Sequence, residues 1–235
     1  MSVTLSNIGI SLSSGSAPST LLDGLMGYWK LDETSGNAVD SSGSGYTGTS
    51  SNITYTASGK ISRCFTFNGT TSKVVIGNVI KPTTALSFSI WTKDGGQSAE
   101  KQVIFHNVYD TTWRGWRFTR LNNAQGSVLL SDGNGNYLDV AFGTAYNNDS
   151  WHHTVFTWNG TTAYVYIDGI KGTGWSYAYT ISYATTHYLT FGDNEAGTSV
   201  YDGEMDEIAI YNRALTDTEA GWLYNSNSGL THPFS

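Results

Sequence analysis

The sequence predicts an all-β fold: an antiparallel jelly roll of two packed sheets, with one short helix near the C-terminus. Tyr, Trp, Thr, Val and Gly are frequent, and charged residues make up 13% of the chain, where soluble domains average about 25%. Segments in which apolar and polar residues alternate recur at spacings of about 8–15 residues, as in sandwiches and jelly rolls. Turn sequences such as Asn68-Gly69 and Asn159-Gly160 join consecutive segments into hairpins.

The predicted strands begin near residue 26 and continue to residue 211. They cover residues 26–31, 63–67, 73–76, 86–92, 103–107, 115–120, 127–131, 138–142, 151–158, 163–167, 188–191 and 205–211. In the segment 86–92 the residues Leu86, Phe88 and Ile90 fall on one face, because side chains alternate along a strand. One helix is predicted over 217–224, where Thr216 and Glu219 form a capping box, and we expect it to close an end of the sandwich.

The 235 residues fit one β domain flanked by two short segments. We predict an N-terminal Ser-rich arm and linker over 1–24, the jelly roll over 25–228 and a C-terminal tail over 229–235. Apolar residues alternate with small polar ones in the arm, namely Val3, Leu5, Ile8, Ile10 and Leu12. Two interpretations stay open: a disordered tail, or an arm that adds to a sheet edge of a neighbouring subunit or larger assembly.

Composition excludes several classes of partner. The net charge of −7 argues against nucleic acid and against anionic membranes, both of which attract basic surfaces. No apolar run approaches the roughly 18 residues of a membrane helix, so we expect no membrane insertion. The N-terminus does not have the pattern of a signal peptide, which leaves an intracellular origin, including a virus particle, or a mature secreted domain. Cys64, the one cysteine, is expected to be buried.

Short motifs in a fixed order resemble those of laminin G-like jelly rolls in the concanavalin A-like lectin/glucanase superfamily. The motifs are GYWKLDE at 27–33 with DSSG at 40–43, FSIW at 88–91, WHHTV at 151–155, YIDG at 166–169 and GEMDEIAIYNRAL at 203–215. The resemblance implies a concanavalin A-like two-sheet jelly roll over residues 25–225. It implies much less about activity, because this fold supports many functions.

The superfamily includes β-glucanases, so the closing strand has to be tested for catalytic carboxylates. Retaining glycosidases need two carboxyl groups about 5–5.5 Å apart. Strand alternation predicts Glu204 and Asp206 on one face, Ile208 next on that face and Glu207 on the other. The third carboxylate of the glucanase signature is missing from both allowed positions. We therefore predict that the protein is not an enzyme, with a glycoside hydrolase as the least favoured alternative.

The resemblance also implies a structural Ca²⁺ between the early Gly-rich loop and the closing strand. Carried over residue by residue, it points to Asp40 and Asp206, with Glu207 and Asp32 as weaker candidates. Calcium takes six to eight oxygen ligands, often from such loops. The alternative is that Asp40 caps a turn, since Asp-Ser-Ser-Gly is also a good turn sequence.

Aromatic, amide and charged residues are concentrated in predicted loops and strand ends. Sugars stack their apolar faces on aromatic rings and bond their hydroxyls to amides and carboxylates. The candidate ligand-binding residues are Tyr109, Asp110, Trp113, Arg114, Trp116, Trp175, Tyr177 and Asn194. Ordinary loop packing or a protein interface, which also enriches Trp, Tyr and Arg, remains the alternative.

These observations favour a non-catalytic recognition or attachment module, such as a structural protein on the surface of a phage or virus particle. It would present its jelly roll to a glycan or a surface protein and join a larger protein assembly through the N-terminal arm. The alternative is a secreted, extracellular carbohydrate-binding domain of a larger polysaccharide-acting protein.

Overall fold

In the computed structural model, two antiparallel sheets pack face to face, which confirms the predicted jelly roll. The structure describes residues 19–95, 101–109, 113–121, 125–143, 149–186, 188–194 and 197–234. The strands are β1 (Leu25–Trp29), β2 (Thr49–Ser51), β3 (Thr54–Thr56), β4 (Cys64–Asn68), β5 (Lys73–Gly77), β6 (Leu86–Asp94), β7 (Lys101–Tyr109), β8 (Arg114–Leu121), β9 (Gly126–Ser131), β10 (Tyr137–Phe142), β11 (Trp151–Trp158), β12 (Thr162–Ile167), β13 (Ile170–Lys171), β14 (Trp175–Ser176), β15 (Leu189–Phe191) and β16 (Asp202–Tyr211). The helices are α1 (Asp217–Tyr224) and two short 3₁₀ turns, Ser19–Leu22 and Asn225–Asn227.

Strand order divides the chain between the two sheets. The first sheet has nine strands in the order β13-β12-β11-β6-β16-β4-β3, with β1 added beside β16 and β14 beside β12. The second sheet has seven strands in the order β10-β9-β8-β7-β15-β5-β2. Strands β7 to β10 follow one another along the chain as an antiparallel meander, so they place consecutive sequence segments side by side.

Aromatic side chains join the two sheets at the centre of the core. Phe88 of β6 lies with its ring centroid 5.3 Å from that of Phe105 on β7 and 5.8 Å from that of Trp116 on β8. Phe118 of β8 and Phe156 of β11 stack on the same ring at 5.2 and 5.4 Å. All five side chains are fully buried. The inward face of β8 is therefore committed to packing.

Helix α1 forms as predicted, but in a different place. The side-chain oxygen of Thr216 accepts from the Glu219 amide at 3.2 Å, and the Glu219 carboxylate accepts from the Thr216 amide at 2.9 Å. The helix does not close an end of the sandwich. It packs on the outer face of the nine-stranded sheet, where Ala220 and Leu223 join a second buried cluster with Tyr211. Among the described residues no helix is long and apolar enough to cross a membrane.

The packed unit extends beyond both predicted domain boundaries, at 25 and at 228. Leu21 is fully buried, and Phe234 is 4% exposed in the same cluster. The Arg213 guanidinium donates to the carbonyl oxygens of Thr20 and Asp23, both at 2.6 Å. The outward face of the nine-stranded sheet is apolar, so residues from both ends of the chain are used to cover it. The predicted arm strand of Val3 to Leu12 lies outside the described residues.

Replacing Leu21 with Ala should destabilise the fold by about 2–5 kcal/mol, because it opens a cavity beneath α1. Urea unfolding of the full chain, followed by far-UV circular dichroism, measures the change. Leu22→Ala is the matched control, since Leu22 is 48% exposed and should alter stability by less than about 0.5 kcal/mol. Equal effects of the two substitutions would show that residues 19–24 are a linker.

Candidate functional site

The outward face of strands β7 to β10 carries side chains in aligned rows. In one row Val108 of β7, Gly115 of β8, Ser131 of β9 and Tyr137 of β10 are paired across the strands. Because Trp116 points into the core, its strand neighbour Gly115 faces outward. Two small residues, Gly115 and Ser131, thus lie between Tyr137 and Val108, which leaves a depression in the sheet surface.

The next row, called the charged row below, contains the ion pair of Arg117 and Asp139. Its members are His106 of β7, Arg117 of β8, Leu129 of β9 and Asp139 of β10, paired in that order. Arg117 lies between the inward-facing Trp116 and Phe118, so alternation places it on the outer face. The charged row therefore runs parallel to the depression, one pleat away from it.

A groove of about 540 Å³ follows this depression. Its walls are formed by Trp113, Leu129, Ser131, Gly133, Gly135, Tyr137 and Asp139. The volume lies within the range of small-molecule sites, about 300–1,000 Å³. Gly115 is required beside the groove, because its φ is +116° and a Cβ there would collide with the carbonyl oxygen of Asn107.

Two exposed aromatic rings flank the groove. Trp113 is 45% exposed and Tyr137 is 65% exposed. Trp113 directly precedes β8 and Tyr137 begins β10, so strand β9 lies between the two positions. Trp113 has a φ of +54°, a left-handed conformation that is uncommon for a bulky residue and concentrates at functional sites.

Arg117 supports Trp113 from the charged row. The centre of its guanidinium lies 4.9 Å from the centroid of the Trp113 ring, a cation–π contact. Its terminal nitrogen lies 3.4 Å from Oδ2 of Asp139, whose Oδ1 accepts from the Ser127 hydroxyl at 3.0 Å. Burial lowers the pKa of Arg117, and the neighbouring Asp139 opposes that shift. Arg117 and Ser127 therefore hold Asp139 in position at the groove wall.

The turn between β9 and β10 is held by Asp132. Its carboxylate accepts from the backbone amides of Asn134 and Asn136 at 2.7 and 3.2 Å and from the Asn136 side chain at 2.7 Å. The side-chain bond from Asn136 lowers the pKa of Asp132. The bonded turn places Gly133 and Gly135 at the end of the groove.

The structure brings only some of the predicted ligand-binding residues together. Trp113 lines the groove, and Arg114 lies against Gly133 beside it. Trp116 is fully buried in the core and Tyr177 is 3% exposed, so the expectation that these two contact a ligand is corrected. The side chain of Tyr109 and all of Asp110 lie outside the described residues.

The remaining two candidates lie elsewhere. Trp175 lines a second cavity of about 340 Å³ at the sheet edge, with Ile167, Ile170 and Phe142. Asn194 accepts from the backbone amides of residues 198 and 199, in a loop beside the start of β7. Trp113 follows the other end of β7, so Asn194 and the groove are at opposite ends of that strand.

Sequence reasoning selected only Trp113 of the groove wall, and it missed Tyr137 and Asp139 in the wall and Arg117 beside it. Each was available from alternation, because Leu138 and Phe118 are apolar residues of predicted strands and their neighbours face outward. The pairing of β8, β9 and β10 could not be obtained in this way. That register is what places Arg117 beside Asp139.

Asp40 acts as a turn cap. Its Oδ1 accepts from the amides of Tyr28 and Ser42 at 3.0 and 2.9 Å, and its Oδ2 accepts from the Tyr46 amide at 2.9 Å. Partial burial acts to raise the pKa of Asp40, but these hydrogen bonds outweigh it and the pKa is lowered. Both carboxylate oxygens are thus used by backbone donors.

Asp206 is fully buried on the closing strand, and its Oδ2 accepts from the Ile61 amide at 2.8 Å. Burial raises the pKa of Asp206 to about 9. The predicted alternation is wrong here, because a bulge at Glu207, with φ +50°, shifts the register against β6. Ile208 consequently joins the core, while Glu207 accepts a hydrogen bond from the Tyr28 hydroxyl on the outer side.

The two predicted calcium ligands make separate sets of hydrogen bonds. Asp40 accepts from the amides of Tyr28, Ser42 and Tyr46, whereas Asp206 accepts from the Ile61 amide. Within the described ranges no three His, Cys, Asp or Glu side chains are arranged to hold a metal ion. Calcium binding by this chain stays a prediction from the sequence. Cys64 is buried, and burial raises its thiol pKa to about 12, so it is not a thiolate ligand.

A family model described as the concanavalin A-like lectin/glucanases superfamily, of the laminin G type, matches residues 68–221. The chain belongs to this superfamily. No curated protein matches the sequence significantly.

Three solved structures illustrate the similarity of fold. The binding domain of Paraclostridial mosquitocidal protein 1 has a TM-score of 0.72 at 18% identity, over 88% of this chain and 53% of that one. The binding domain of botulinum neurotoxin DC, in complex with SialylT, has a TM-score of 0.68 at 15% identity, over 88% and 52%. Domain 4 of AbnA, a GH43 extracellular arabinanase from Geobacillus stearothermophilus, in complex with arabinotriose, has a TM-score of 0.64 at 20% identity, over 84% and 96%. The chain thus spans about half the length of the toxin domains and nearly all of the arabinanase domain.

The contribution of Asp206 to stability should fall as the pH rises from about 5 to about 9, because Asp206 binds its proton more tightly in the folded state than in the unfolded chain. An acid with a raised folded pKa stabilises the fold at low pH, and that contribution is lost toward its folded pKa at up to about 1.4 kcal/mol per pH unit. Asp206→Asn should flatten the dependence in urea unfolding across this range. Glu204→Gln, two residues away on the same strand, should leave it unchanged. An identical slope in Asp206→Asn and the parent chain would contradict the assignment.

Proposed function

We propose that the protein is a non-catalytic carbohydrate-recognition module that binds a glycan in the groove between Trp113 and Tyr137. The observation that carries the proposal is the pair of exposed rings on either side of a depression with a carboxylate in its wall. Aromatic rings stack on the apolar faces of sugars, and Asp139 is placed to accept hydrogen bonds from hydroxyls. Trp113 and Tyr137 have little packing role at such exposure, which favours recognition.

The similar structures support binding rather than catalysis. The arabinanase domain, which matches over nearly its full length, was solved with arabinotriose. The botulinum neurotoxin DC binding domain was solved with SialylT and also with rat synaptotagmin II, so a protein ligand is the second candidate. A concave groove of small-molecule volume favours the glycan.

Hydrolysis receives no support from the positions of the carboxylates. Asp139 is the one acid in the groove wall among the described residues, and its neighbour in the row is the cation Arg117. A retaining glycosidase needs a second carboxyl group about 5–5.5 Å away. Asp206, the best candidate from the sequence, is fully buried, so substrate does not reach it.

The proposed attachment role uses the side of the domain opposite the groove. The described chain begins at Ser19 on the side of α1, where Leu21 packs against the nine-stranded sheet. The groove is on the outer face of the other sheet. We propose that residues 1–18 join a larger assembly, such as a phage or virus particle or a secreted polysaccharide-acting protein, while the groove faces away from it.

Trp113→Ala and Tyr137→Ala should each weaken glycan binding about five- to thirtyfold, since one stacked ring contributes roughly 1–2 kcal/mol. The ligand is first identified on a glycan array that includes arabinotriose, and the affinities are then measured by titration calorimetry. The control is Ile170→Ala, because Ile170 is 75% exposed and lines the second cavity.

Loss of binding in Ile170→Ala with full binding in Trp113→Ala would move the site to the second cavity. Failure of the parent chain to bind any glycan would overturn the proposed function.

Removal of residues 1–18 should leave glycan affinity unchanged, because the groove and Ser19 are on opposite sides of the two sheets. The same truncation should abolish incorporation into the native assembly, which is measured by occupancy in purified particles or complexes. Full occupancy of the truncated chain would show that the N-terminal segment is not the anchor.

A further inference from the structure

We propose that the groove selects neutral glycans over acidic ones, and that Asp139 is the residue that determines this specificity. The inference rests on the proposed glycan-binding function and goes beyond it in naming the ligand class. It follows from how the charges of the groove are paired and from which of them a ligand can reach.

Asp139 is the charge that a ligand in the groove meets first. Its side chain is 34% exposed and forms part of the groove wall. Oδ1 of the carboxylate accepts from the Ser127 hydroxyl and Oδ2 lies beside the Arg117 guanidinium, and these contacts fix its orientation. A carboxylate has about four acceptor positions, so further positions remain for sugar hydroxyls. Neutral sugars supply the donors that these positions need.

The positive charge of Arg117 is shielded from the groove. Its side chain is 13% exposed, its guanidinium lies against the Trp113 ring, and its charge is paired with Asp139. A ligand carboxylate would have to displace Asp139 to reach it. Guanidinium groups that recognise acidic sugars would instead have to be open to the ligand, since bidentate pairing needs direct access.

The remaining charges at the groove do not create an anion site. Arg114 is exposed and lies against Gly133 at the rim, next to Asp132. Among the described residues of this region, two arginines and two aspartates therefore balance. The whole chain carries a net charge of −7, which disfavours an acidic ligand further.

The magnitude follows from the repulsion between the ligand's carboxylate and Asp139. Two like charges about 5–6 Å apart, in surroundings between protein and water, repel enough to weaken binding about tenfold. We therefore expect a neutral glycan to bind about tenfold more tightly than the same glycan with one acidic group.

The test uses the full chain and glycan pairs of equal size that differ only in one acidic group, such as oligosaccharides ending in galactose or in galacturonic acid, on an array and by calorimetry. The variant is Asp139→Asn, which removes the charge and keeps the shape. Its control is Asp149→Asn, which makes the same change in net charge at a carboxylate that is 84% exposed beside Lys93 of the other sheet. Melting curves establish that both variants fold.

The proposal expects the parent chain and Asp149→Asn to bind the neutral member of each pair more tightly. The gap between the affinities for the two members should be about tenfold smaller in Asp139→Asn. High salt should narrow the same gap in the parent chain, because exposed charges are screened, and this arm needs no variant. Equal or tighter binding of the acidic members by the parent chain overturns the inference alone. A gap that Asp139→Asn leaves unchanged overturns the role of Asp139. Absence of binding to every glycan overturns the proposed function, and the inference with it.

Discussion

The contact of Phe88 with the seven-stranded sheet determines which side chains of β8 face outward, and so where the groove lies. Phe88 stacks on Trp116 and Phe118, which fixes the inward face of β8. Alternation then leaves Arg117 no position except the outer face, between the two buried rings. The register of β8 with β9 and β10 brings Asp139 alongside. The groove is thus the outer side of the same strands whose inner side builds the core.

The outer face of the nine-stranded sheet is covered by other parts of the chain, whereas the outer face of the seven-stranded sheet carries the groove. On the nine-stranded sheet Tyr28, Val155 and Tyr211 point outward and are covered by Leu21, α1 and Phe234. The bulge at Glu207 belongs to this covered side, where the carboxyl groups of Asp206 and Glu207 are both buried. Buried carboxyl groups on the covered side affect stability with pH, but they have no contact with the groove.

Much of the fold could be predicted from the sequence, because alternation, turn chemistry and capping are local. Helix α1 and its box of Thr216 and Glu219 are examples. The bulge at Glu207 could not be predicted, since it depends on pairing with β6 and β1. The site was predicted in part: Trp113 is an aromatic residue at a strand end, whereas Trp116, three residues later, looks the same in sequence and is buried. Only the register of the sheet separates the two.

The proposed function of the groove depends on the exposure of two aromatic side chains. Single exposed apolar residues are ordinary on protein surfaces, so Trp113 or Tyr137 alone would carry no argument. Here two exposed rings line one groove, with Gly115 on β8, Ser131 on the intervening strand β9 and an ion pair along one side. Larger side chains at those two positions would fill the depression, and the rings would then pack on them. The small residues leave the depression open between the two rings, which is the feature on which the proposed binding of a glycan depends.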